Sequence, residues 1–356
     1  NKVGALNAAL VGGNTSSKNP VLYDSLSART GRFVADGGKL HLSPSNLNSV
    51  KTTLFSFMSH YEPDRTNKRA SQIQKINRLR EALSANQTFV YRCWPEHGDV
   101  LPERERLISG YYYNPGAPGD FVRDMYGNYN WYESGRLFAR NLKEPLQAIR
   151  IKQIPYVWLE IANEPNEPHE PFLQSMAAYN DFFRGFFWGC RESDIMEFVG
   201  RVYPLIYAGL SPNYNPQAWY TDYWVQVHIR DYADKVGVHV YWTSDSLREA
   251  TGPDGGRYYR TVKTTLQNAG IGPKGLMITE FNIPRFAVGY DDDVQGQQWQ
   301  AWWQGAWADA QSGWWNEQAF LYVSKADPDS TLPEDPERDI REYQVHDTQL
   351  GYIQNA

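Results

Sequence analysis

Nine residues, Trp158-Leu159-Glu160-Ile161-Ala162-Asn163-Glu164-Pro165-Asn166, constrain the fold more than any other stretch. Trp158, Leu159, Ile161 and Ala162 suit a strand buried on both faces, as in a parallel sheet covered by helices. Pro165 cannot donate to a sheet ladder and pushes Glu164 out of helical geometry, so the strand must stop here. The stop leaves Asn163 and Glu164 at a carboxyl-terminal strand end. Leu276-Met277-Ile278-Thr279-Glu280-Phe281-Asn282-Ile283-Pro284 repeats the pattern of apolar strand, carboxylate and proline. In barrels of alternating strands and helices, chemistry sits at these strand ends.

The rest of the chain supplies the alternation. Further strands are expected at residues 3–10, 52–59, 88–95, 202–209, 236–242 and 318–323, and helices at 67–85, 131–149, 218–232 and 258–269. Asp291-Asp292-Asp293 opens another helix, and acids in a first turn complement the helix dipole, so the triplet reads as a cap rather than a metal site. The expected fold class is α/β: a single (β/α)8 TIM barrel with long loops over the carboxyl-terminal face of the strands. The Tyr-, Gly- and Pro-rich stretch 110–130 reads as one such loop. No Gly/Ser-rich linker or charge block divides the 356 residues, so one catalytic domain over 1–356 is expected, with 328–356 as an acidic tail or last helix.

An Asn-Glu-Pro strand end followed by a later strand ending in a lone Glu resembles the large clan of retaining glycoside hydrolases built on the (β/α)8 barrel, the cellulase-, mannanase- and β-glycosidase-like enzymes. The likeness covers most of the chain, because two further strand–helix units fit between the two strand ends. It implies Glu164, closing the fourth strand, as acid/base and Glu280, closing the seventh, as nucleophile. It implies that Asn163 holds the sugar hydroxyl next to the reacting carbon. On the sixth strand His239 and Tyr241 are two apart and share a face. Similar strands in the clan turn a His and a Tyr to the pocket, the Tyr donating to the nucleophile. Trp242 beside them is read as a stacking platform, and Arg92 and Trp94 on the third strand as further substrate contacts. Two departures stand out: the second strand offers only His60 before Arg65 where many members carry Arg, and the eighth ends in Val323-Ser324-Lys325 where many carry Trp.

The chemistry explains why two carboxyl groups are needed. Cleaving an acetal takes a proton for the leaving oxygen and a stabiliser for the cationic sugar. The two groups must hold different protonation states at one pH, and the ionised nucleophile favours the proton on its neighbour until it is glycosylated. Glu160 has the parity of Glu164 and points into the barrel. A buried carboxylate needs a partner, and Arg92 could supply it or touch substrate instead.

Composition excludes several classes. Net charge is −6 with scattered basic residues, which argues against nucleic acid as a partner. No apolar run approaches the ~18 residues of a membrane span. The seven His are dispersed, so no metal and no cofactor is expected. An aldolase-like enzyme would want a Lys on an inner strand; none is found on the central strands, and Lys325 at the eighth is the only candidate. The 13 Trp and 24 Tyr fit a large core, a groove lined for sugar rings, or both. The clan resemblance implies a β-linked carbohydrate substrate as the partner. A non-catalytic carbohydrate-binding barrel is the alternative, but it would have no reason to keep both glutamates. Cys93 and Cys190 leave a disulfide open. The chain begins at Asn1 with neither Met nor signal peptide, as a processed or trimmed product would, and an extracellular or secreted setting is expected.

Overall fold

Short apolar strands separated by helix-length segments pair in parallel, because a parallel pair needs a long crossover. The computed structural model describes residues 11–15, 49–55, 88–94, 128–151, 156–168, 170–242, 255–315 and 319–321. The strands are β1 (Val11–Thr15), β2 (Ser49–Phe55), β3 (Thr88–Trp94), β4 (Tyr156–Ile161), β5 (Leu205–Tyr207), β6 (Lys235–Tyr241), β7 (Gly275–Asn282) and β8 (Ala319–Leu321). All pair in parallel and in chain order, and β8 pairs back with β1. The α/β class thus holds as a curled, all-parallel sheet. The expected first strand at 3–10, the helix at 67–85 and nearly all of the 110–130 loop lie outside the described residues.

Helices follow β3 (α1, Trp131–Asn141; α2, Lys143–Ile151), β4 (α3, Met176–Gly189; α4, Ser193–Val199), β5 (α5, Pro216–Thr221; α6, Tyr223–Tyr232), β6 (α7, Tyr258–Asn268) and β7 (α8, Asp292–Gln311). Two helices expected to be continuous are each divided. Asp222 adopts an extended conformation and its carboxylate accepts the Val225 N–H at 2.9 Å, which starts α6 afresh. Pro145 has no N–H to bond back into α1 and sits in the first turn of α2, where that lack costs nothing. Asp291 is a cap as expected, its carboxylate accepting from Asp293 N (2.9 Å) and Val294 N (3.1 Å).

The alternation along each strand divides two cores. Leu159 and Ile161 of β4, Val236, Val238 and Val240 of β6, and Leu276 and Ile278 of β7 face outward into the main helix-covered core. Val90, Ile206 and Met277, with Trp158 against them, form a separate small apolar cluster inside the sheet. One layer further along lies a buried charged set: Arg92, Glu160, His239 and Glu280. The inside of the curled sheet therefore has an apolar floor and a charged layer above it.

Candidate active site

Strict alternation would turn Glu280 the wrong way. Met277 faces in and Ile278 faces out, so the next inward residue is Thr279. The register between β6 and β7 slips there: Val238 pairs with Ile278, but His239 pairs with Glu280. This one-residue bulge brings Glu280 inside as well, the re-aiming that bulges perform beside functional sites.

The other carboxylate is aimed by a sharp corner. β4 ends at Ile161, and Ala162 (φ 70°) and Glu164 (φ 35°) both lie in the left-handed region. Such residues cost of order 1–3 kcal/mol each and persist only where their surroundings hold them. Tyr179 of α3 does so: its buried hydroxyl donates to the Ile161 carbonyl (2.7 Å) and accepts the Ala208 N–H (3.0 Å). The Ala162 N–H donates to Cys93 O at 2.8 Å. Asn166 then clasps the loop after β5, its amide accepting from Ser211 N (2.8 Å) and donating to Ser211 O (2.8 Å) and Tyr214 O (3.0 Å).

The expected residues converge here. Tyr241 donates its hydroxyl to Glu280 Oε2 at 2.8 Å. Arg92 donates from Nη1 to Glu280 Oε1 (3.1 Å) and to Asn163 Oδ1 (2.7 Å). His239 Nδ1 is 2.7 Å from Glu164 Oε1 and 3.5 Å from Glu280 Oε2. The Glu164 side chain is 17% exposed and that of Glu280 5%, so Glu164 is the one nearer solvent. Burial pulls the His239 imidazole toward neutrality. The charge of Glu280, with Glu160 and Glu164, outweighs it and raises the pKa to about 9.

One donor atom each from Glu164, His239 and Glu280 lie within 4.8 Å of one another, the set among the described residues that could surround a cation. His239 Nδ1 lies 2.7 Å from Glu164 Oε1, so the three also form a hydrogen-bonded group.

One expectation needs correction. Trp242 is 1% exposed and stacks on Trp302 (5.4 Å between ring centres), which itself stacks on Phe281. With its ring inside this aromatic stack, it is a core residue and offers no face to a sugar. Trp94 ends β3 opposite Phe55, and its side chain lies outside the described residues. Cys93 and Cys190 are both buried and free. Sequence reasoning missed Tyr179, Asn166 and the pairing of Arg92 with Glu280. Asn166 was within reach, as a polar residue just past the Asn-Glu-Pro corner.

No family model and no curated protein matches this chain in sequence. Solved structures do match in fold. An exo-β-1,4-mannosidase from Opitutaceae bacterium strain TAV5 superposes with TM-score 0.57 at 10% identity, over 97% of this chain and 58% of the mannosidase. A GH26 β-mannanase from Bacteroides ovatus gives 0.54 at 12% identity, over 99% of this chain and 90% of its own. A GH39 enzyme from Xanthomonas axonopodis pv. citri gives 0.56 at 9% identity, over 97% and 65%. The chain thus spans less than two thirds of the mannosidase and of the GH39 enzyme. At these identities the likeness shows a shared fold.

Proposed function

We propose that this chain is a retaining glycoside hydrolase that cleaves β-glycosidic bonds in an oligo- or polysaccharide by double displacement. One observation carries the reading: a carboxylate oxygen of Glu164 lies within 4.8 Å of one of Glu280. Retaining enzymes hold their two carboxyl groups ~5–5.5 Å apart, and inverting ones leave room for a water at ~6.5–9.5 Å. The mannosidase and mannanase that share the fold add support from outside the chain.

In this reading Glu280 attacks the anomeric carbon as Glu164 gives its proton to the leaving oxygen. The glycosidic C–O bond breaks and a glycosyl ester forms on Glu280. Glu164, now a carboxylate, takes a proton from water, whose oxygen attacks the same carbon and releases Glu280. Arg92 and Tyr241 each donate to a different oxygen of Glu280, which favours a carboxylate there before attack and after release. Asn163, fixed by Arg92, keeps its amide N–H₂ for a sugar hydroxyl.

The same reading takes residues 1–356 as one domain with the full (β/α)8 repeat, supported by the unbroken strand order. Among the described residues no helix is long and apolar enough to cross a membrane. An extracellular setting suits polymeric substrates, which do not cross membranes. The test is a screen of aryl β-glycosides, mannans, xylans and β-glucans, with NMR of the first anomer released. The β anomer is expected first. The α anomer first overturns retention, and binding without hydrolysis of any substrate favours the carbohydrate-binding alternative.

A further inference from the structure

His239 is surrounded by three carboxylates, and only two of them belong to the proposed chemistry. The third is Glu160, wholly buried on β4 four residues before Glu164. We infer that Glu160 is a positioning residue: its carboxylate holds His239 so that the Nδ1–H is committed to Oε1 of Glu164, leaving Oε2 of Glu164 to carry the transferable proton. This deepens the glycosidase reading and rests on it.

The geometry shows a built arrangement. His239 Nε2 is buried, has no hydrogen-bond partner and faces Glu160 Oε1 at 3.8 Å. The same Oε1 accepts the Gly209 N–H at 3.2 Å, which fixes the carboxylate in place. Two glycines hollow out the space. A Cβ at Gly209 would collide with the imidazole. A Cβ at Gly237 would sit 2.7 Å from Gly209 N and 3.0 Å from Glu160 Oε1. At neither glycine does the space admit a side chain. Both positions serve the contact between Glu160 and His239.

Glu160 and Glu164 face the His239 ring from β4 and its end, and Glu280 from β7. Arg92 of β3 and Tyr241 of β6 are linked to it through Glu280. Glu160 and Glu280 as carboxylates balance Arg92 and an imidazolium at His239. With the Glu164 proton that the proposed chemistry requires, these five groups carry no net charge among themselves, the form that costs least to bury. Glu160 thus allows the ring to donate from Nδ1 while both reacting carboxyl groups keep the states they need. The imidazole's retention of its proton to about 9 agrees with this.

The test is 15N NMR of the His239 ring in the intact chain, assigned by its loss in His239→Gln, joined to kinetics of Glu160→Gln. In the wild type both ring nitrogens are expected to be protonated at neutral pH. In Glu160→Gln the ring should titrate about one to three units lower, the effect of removing one close opposite charge. The variant should lose about tenfold in kcat/KM on aryl glycosides with poor leaving groups and little on activated ones, because only proton donation is disturbed. A neutral wild-type ring at neutral pH, or a variant titration superimposable on the wild type, overturns the inference. Equal losses on both classes of leaving group also overturn it. If Glu160→Gln does not fold, the wild-type spectrum alone decides, by the same protonated or neutral outcome. A wild type that hydrolyses no glycoside sinks the glycosidase reading, and the NMR still separates that failure from a failure of the Glu160–His239 contact.

Discussion

Each oxygen of Glu280 accepts a hydrogen bond from a different strand, Oε2 from Tyr241 and Oε1 from Arg92. Removing the phenol oxygen takes away a hydrogen bond to a charged group, worth about 1.5–3 kcal/mol. Tyr241→Phe should therefore lower kcat roughly ten- to hundredfold with an unchanged circular dichroism melt. Full activity in that variant would remove Tyr241 from the site. His239 offers a second check. Its folded pKa of about 9 lies above the ordinary 6.5, so the folded state binds the proton more tightly. The stability it contributes is complete below about 6.5 and is lost as pH rises through about 9. The gap in urea-unfolding free energy between wild type and His239→Gln should narrow over that window. A gap that widens, or does not move, contradicts the assignment.

The strand ends depend on devices that belong to whole elements. Tyr179 of α3 ties the end of β4 to the end of β5 through one buried hydroxyl. Tyr179→Phe keeps the ring but leaves the Ala208 N–H and the Ile161 carbonyl without that partner, at about 1–3 kcal/mol. Thermal unfolding should show a lower Tm, and an unchanged Tm would mean that the corner holds itself. What the sequence revealed of these elements follows from what is local. Apolar runs closed by proline exposed β3, β4 and β7, and the two-residue period put His239 and Tyr241 on one face. The bulge at Thr279 was not legible, because it depends on pairing with β6 and leaves no mark on β7 alone. The left-handed turn at Ala162 was hidden for the same reason: nothing local prescribes it, and a tyrosine 17 residues away in sequence stabilises it. The break at Asp222 was readable in principle, since a lone Asp inside a helical pattern is also a good cap. Trp242 shows the limit of reading aromatics by neighbourhood. Its position beside Tyr241 suggested the pocket, but alternation sends it to the outer core.

Across the whole molecule, strands from distant parts of the sequence place Arg92, Glu160, His239 and Glu280 in one layer above an apolar floor, and Glu164 joins them through His239. The central claim is that Glu164 and Glu280 divide the work as acid/base and nucleophile, and small anions can separate those roles. Glu280→Ala leaves a cavity where the nucleophile stood, with Glu164 still able to donate a proton. Azide entering that cavity attacks the anomeric carbon directly. Glu164→Ala keeps the nucleophile, so an activated aryl glycoside still forms the glycosyl ester, which azide then intercepts. The measurement is the anomeric configuration of the glycosyl azide from each variant, read by NMR. Inverted product from Glu280→Ala and retained product from Glu164→Ala are expected. The opposite pair of configurations would reverse the two roles, and undiminished activity in both variants would contradict the assignment altogether.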